Sequence, residues 1–149
     1  MKSDISLPID GIYLNIRVGI IFKYQDKVLI EIRKDRVGNS VIPGGRVKID
    51  EYRIEALKRE IKEEMNYDLL DDRIIYKDTI ESFFTINDKD VHELFFIYEY
   101  LVDEKIYEDL LTIKENRDNH MTDYIFVGYD EFEKVDLLPM DLRDIIKSN

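Results

Sequence analysis

The chain has 149 residues, 44% hydrophobic and 37% charged, with no cysteine. This suits a single domain, expected to span residues 1–149, with a sizeable core, and it excludes a disulfide framework and thiolate metal ligands. The net charge of −11, from 22 basic and 33 acidic residues, opposes binding to DNA or RNA, which needs clustered Lys and Arg. A small anionic ligand would have to be drawn in by metal ions and a few placed basic side chains.

The N-terminal MKSDISLPIDG holds no apolar run of signal-peptide type, and no window approaches a membrane span. A cytoplasmic location and no membrane partner are the default expectation. Tyr13 to Tyr24 is rich in β-branched residues and predicts a strand, and Lys27 to Arg33 (KVLIEIR) predicts a second, with a hairpin turn at Gln25-Asp26. Lys34 to Ser40 contains Gly38-Asn39 and reads as a loop. A helix is expected over Glu51 to Met65, with Asp50 placed to cap its first turn. Ile74 to Ile86 and Val91 to Val102 predict two long strands around Asn87-Asp88-Lys89-Asp90. Asp123 to Val127 predicts a short strand, Asp130 to Lys134 a polar helical turn, and Pro139 to Lys147 a closing helix with Pro in its first turn. Strands interspersed with helices indicate an α/β class.

The helix at Glu51–Met65 carries the most chemistry. Ile54, Leu57, Ile61 and Met65 fall on one arc, while Glu60, Glu63 and Glu64 share an adjacent sector roughly 100° wide. Three like charges there repel one another unless something positive sits between them. A hard divalent cation such as Mg²⁺, which takes oxygen ligands and accepts carboxylates together with substrate phosphates, is the obvious candidate. An acidic run is ordinarily a solvated helix face; the spacing around this one weighs against that reading.

Gly45, five residues, Glu51, seven residues, Arg59-Glu60, Ile61, Lys62, Glu63-Glu64, Met65, Asn66 and Tyr67 resemble the signature box of the Nudix hydrolases, G-x5-E-x7-R-E-U-x-E-E-x-G-U, where U is bulky and apolar. The departure is Asn66 for the last glycine. That glycine follows the helix, where a left-handed backbone is usual, and Asn is the other residue that best tolerates it. Ile42-Pro43-Gly44-Gly45 also looks like the family's lead-in, although Ser40-Val41 replaces an aromatic often found before it.

The resemblance implies an α/β/α sandwich around a mixed β-sheet, and Mg²⁺-dependent hydrolysis, with Mn²⁺ as substitute, of a diphosphate linkage in a small nucleotide-like substrate. It implies Glu60, Glu63, Glu64 and the Gly44 carbonyl as metal ligands. Glu63 and Glu64 would take part in catalysis, together with Asp123, which lies where relatives often place an additional acidic group. Gly45, Glu51 and Arg59 would be structural support, Arg59 pairing with Glu51. Eight helical steps separate those two, so the pair needs Glu51 to be bent back at the helix start. Arg33 and Arg36, just before the glycine turn, are candidate phosphate contacts, and His92-Glu93 could face the cleft as a base. None of the ten Tyr can be singled out. An alternative is a non-catalytic nucleotide- or ADP-ribose-sensing module on the same fold, which would be expected to lose box carboxylates and to be fused to a DNA-binding domain, for which 149 residues leave no room. An isoprenoid diphosphate isomerase relative would want a Cys. A homodimer is left open.

Overall fold

The computed structural model describes residues 2–35 and 40–148. Ser6–Ile9 (β1) folds back on Ile12–Tyr24 (β2) through Asp10 and Gly11, both at positive φ (52° and 81°), as a two-residue hairpin turn requires. Lys27–Arg33 (β3) and Gly44–Arg46 (β4) follow, then the helix Arg53–Met65 (α1). Ile74–Ile86 (β5) and Lys89–Tyr100 (β6) form a long hairpin whose turn, Asn87-Asp88, again has two positive φ values. Glu104–Leu111 (α2), Thr122–Gly128 (β7) and Leu142–Lys147 (α3) complete the chain.

The strands form one mixed seven-stranded sheet in the order β5-β6-β2-β3-β7, with β1 and β4 also paired to β2. β2 and β6 run parallel from Ile12↔Asp90 to Phe22↔Tyr100, whereas β2 touches β3 only at Lys23↔Val28 and Tyr24↔Lys27. The sheet therefore splays between β2 and β3, and that opening becomes the floor of a cleft. On one face Ala56, Leu57, Ile61 and Met65 of α1 and Leu110 of α2 pack on Val18, Ile20, Phe22 and Leu29. On the other, Leu142 and Ile146 of α3 pack on Ile21, Ile30, Phe95 and Ile97. Helices thus cover both faces, the expected α/β/α sandwich. Among the described residues no helix is long and apolar enough to cross a membrane.

Three elements were not anticipated. β1 contains a proline and β4 is Gly-Gly-Arg, so neither has a strand signal of its own; both exist because β2 offers a backbone to pair with. In α2 only Ile106 and Leu110, one turn apart, reach the core. Its start is set by Asp103, whose side chain accepts from the Ile106 N–H at 2.8 Å. The helix capping expectation is corrected. Asp50 is not the cap: it sits in a turn at φ 64°, and α1 begins at Arg53 after Tyr52, without a side-chain cap. The turn holds itself instead, with the Glu51 carboxylate accepting from the Lys48 N–H at 3.0 Å. At the far end Asn66 is left-handed (φ 53°, ψ 38°) and its N–H reaches the Lys62 carbonyl.

Candidate active site

The site grows from the close packing of β4 against β2 and α1. At Gly44 a Cβ would run into the Val18 carbonyl, and at Gly45 into the Glu60 carboxylate, whose oxygens lie 2.5 and 2.6 Å from where it would be. Glycine at these positions lets the acidic edge of α1 rest directly on the β4 backbone. Arg59 holds that edge in place. Its guanidinium donates to both oxygens of Glu51 at 2.7 and 3.0 Å, to Glu60 at 2.9 Å, to Glu63 at 3.4 Å and to the Arg46 carbonyl at 3.0 Å. The bent-back geometry that a Glu51–Arg59 pair demands is therefore present. The Arg59 hydrogen bonds, ahead of all other influences, hold the Glu51 carboxyl below its usual range.

The carboxylates deeper in the cleft behave oppositely. Burial, more than the neighbouring charges, pushes Glu60 up, with Arg59 pulling against it. Glu64 is pushed up to about 9, first by burial, then by the Glu31 and Glu60 carboxylates beside it. Glu31, on β3, is itself raised by burial. Tyr124 of β7 closes the group, its hydroxyl 3.4 Å from Glu31 and 3.5 Å from Glu64, and Asn116 donates to that hydroxyl at 3.0 Å.

Sequence reasoning missed Glu31, Tyr124 and Asn116. Glu31 did leave a trace: in KVLIEIR it shares a strand face with the core residue Leu29, an odd place for a charge. Tyr124 left none, being one of ten Tyr.

Other expected residues lie elsewhere. Asp123, the neighbour of Tyr124, turns the other way and pairs with Lys34 at 3.3 Å, so it is not part of this carboxylate group. Arg33 is at the cleft but forks onto Asp35 at 2.6 and 3.0 Å. Arg36 lies outside the described residues. Of His92-Glu93, His92 packs at a tilt against Phe83 and meets Glu81 at 2.8 Å, while Glu93 lines the cleft. The cleft has a volume of about 800 Å³ and runs from Glu31 and Glu64 past Arg17 and Glu93 to Phe84 and Met140.

The donor set suits a hard divalent cation: carboxylate oxygens only, crowded enough that burial and the Glu31 and Glu60 carboxylates push Glu64 well above its usual range. Among the described residues no three acidic or imidazole side chains already converge on one point. Arg59 is already hydrogen-bonded to Glu60 and Glu63.

A family model described as the NUDIX domain matches residues 14–147. The chain belongs to the Nudix family. It is accordingly a Nudix-type pyrophosphohydrolase, acting on phosphorus-containing acid anhydrides in nucleotide-like molecules. A mutator MutT protein from Bacillus halodurans superposes with a TM-score of 0.63 at 20% identity, covering 90% of this chain and 80% of that one. A MutT NUDIX hydrolase from Burkholderia pseudomallei gives 0.62 at 19%, covering 90% and 96%. A C. elegans Ap4A hydrolase binary complex gives 0.56 at 13%, covering 89% and 93%. At these identities the likeness is one of fold. Comparison with curated proteins returned no match.

Proposed function

We propose that this Nudix protein uses Mg²⁺, with Mn²⁺ as substitute, to cleave the diphosphate linkage of a nucleoside triphosphate or a nucleoside diphosphate-linked small molecule, in the cytoplasm. The observation that carries the metal reading is Glu64: a carboxyl buried between two others, unable to ionise cheaply until a cation replaces its proton. Glu60, Glu63, Glu64 and the Gly44 carbonyl would hold the metal. When bound, it would neutralise the diphosphate oxygens and lower the pKa of a bound water.

The chain's own residues supply the rest. Glu51 and Arg59 fix the start of α1, and the glycines let its acidic edge approach β4. Glu63, half exposed and held among the described residues by the 3.4 Å contact to Arg59, can swing to orient water or accept its proton. Arg33, at the cleft wall, can exchange Asp35 for a phosphate, since its planar fork suits either partner; Arg36 is proposed as a second contact. Asp123 is proposed as an additional acidic group, available once it leaves the exposed 3.3 Å pair with Lys34.

A phosphate-release screen over nucleoside triphosphates, dinucleotide polyphosphates, nucleotide sugars and ADP-ribose, with Mg²⁺ and with Mn²⁺, tests this reading. Turnover of at least one compound, abolished by EDTA, is expected. Turnover that survives EDTA would overturn the metal mechanism; tight nucleotide binding with no turnover would favour a sensing module.

A further inference from the structure

Arg17 and Glu93 stand apart from the carboxylate group, in the middle of the same cleft. Parallel pairing of β2 with β6 sets Asn15 beside Glu93 and Arg17 beside Phe95, and β5 places Ser82 opposite Glu93. The Arg17 guanidinium lies over the Phe95 ring at 4.9 Å and 3.7 Å from a Glu93 oxygen. That separation is too long for a hydrogen bond. Among the described residues neither side chain makes any other ion pair or hydrogen bond. Glu93 is nonetheless only 5% exposed. Its oxygens are not among the fully buried side-chain atoms that lack a partner; they open onto the cleft with Arg17 as their described ion-pair partner, within reach of a ligand there. Arg17 adds up to five unspent N–H donors.

The charge balance narrows what these valences await. Arg17 is already offset by Glu93 at 3.7 Å, and Glu31 lines the same cleft. A phosphoryl group would meet two carboxylates around one guanidinium and be repelled. A neutral planar group with donors and acceptors on one edge would not. Phe84 of β5 and Met140, 39% and 60% exposed, offer it apolar walls.

The count of valences narrows it again. Two carboxylate oxygens need two donors, and the guanidinium needs an acceptor next to them. Adenine and cytosine offer this edge one amino hydrogen beside a ring nitrogen, and uracil a single N–H between carbonyls. Guanine offers N1–H and the 2-amino group side by side, with O6 adjacent.

We propose that Arg17 and Glu93 are the specificity pair of this cleft and read the guanine edge of a nucleotide, Glu93 accepting from N1–H and the 2-amino group and Arg17 donating to O6. The inference rests on the hydrolase reading for why a nucleotide enters the cleft, and it is tested on binding alone. GMP, IMP, AMP, CMP and UMP are titrated calorimetrically into the whole protein with Mg²⁺ present. GMP should bind tightest, on the order of ten-fold or more over AMP and CMP, the scale of one bidentate base contact. IMP, which lacks the 2-amino group, should fall between. Glu93→Gln should erase the gap between GMP and IMP, and Arg17→Met should weaken both while leaving that gap in place. Equal binding of the five nucleotides by the parent protein, or no binding of any, overturns the proposal without recourse to a variant. So does a Glu93→Gln variant that weakens all five by one factor, the mark of a merely structural role. Phosphate release is scored separately. A hydrolase indifferent to the base overturns this inference and leaves the hydrolase reading standing; guanine-selective binding without turnover does the reverse.

Discussion

Glu64→Gln should make the metal-free protein more stable at neutral pH while destroying its activity. The carboxyl is raised from an ordinary 4.5 to about 9 in the folded chain. The sign follows from proton counting. Below pH 4.5 both folded and unfolded forms keep the proton, and the full stability is present. Between 4.5 and about 9 the unfolded chain gives up the proton while the folded chain retains it, so each pH unit removes about 1.4 kcal/mol from the folded state. At pH 7.5 the bound is roughly 4 kcal/mol; sharing of the charge with Glu31 and Glu60, and water entering the cleft, reduce this to about 2. Glutamine carries no such linkage, and its amide can donate to the same two carboxylates. For a chain of this size about 2 kcal/mol corresponds to a melting temperature higher by roughly 4–8 °C. Scanning fluorimetry of parent and variant in EDTA, at pH 5 and pH 7.5, measures it: near equality is expected at pH 5 and the full difference at pH 7.5. Saturating Mg²⁺ should reverse the order, because it stabilises the form that binds it. A variant that melts with or below the parent in EDTA at pH 7.5, or a difference that does not change with pH, would refute the reasoning.

Three further outcomes follow from the same geometry. Glu60→Gln and Glu64→Gln should each lower kcat by a factor on the order of 10² or more, while Glu51→Gln, one step removed from the reacting atoms, should lower it less; steady-state kinetics at saturating Mg²⁺ decides the ranking. Arg59→Ala should cost about 2–3 kcal/mol, because it leaves a largely buried carboxylate without its partner, and urea melts of the single and double changes with Glu51→Ala should show a coupling of at least ~1 kcal/mol; additive losses would mean the pair contributes nothing. Tyr124→Phe removes the hydroxyl that Glu31 and Glu64 share, so the Mg²⁺ concentration for half-maximal activity should shift by roughly ten-fold, the worth of one hydrogen bond to a charged group at the low end of about 1.5–3 kcal/mol, and an unchanged midpoint would place Tyr124 outside the site.

What this sequence determined by itself is local. The spacing from Gly45 to Tyr67 needs only helical geometry to gather Glu60, Glu63 and Glu64 on one edge, and β-branched runs need only their own propensity to form β2, β3, β5 and β6. Asn66 could be read as a left-handed helix end from its type alone. The tertiary structure decided everything that depends on which strand lies beside which. Glu31, Arg17 and Glu93 come from three strands, and they share one cleft because β6 runs parallel to β2 while β3 parts from it after two residue pairs. The register of β7 put Tyr124 rather than Asp123 against the carboxylates, a choice of face that a one-residue slip would have inverted. β1 and β4 formed through pairing and not propensity. Burial, finally, is a property of the packed chain: it is what raises Glu64 so far above an ordinary glutamate, and no count of residues along the chain contains it.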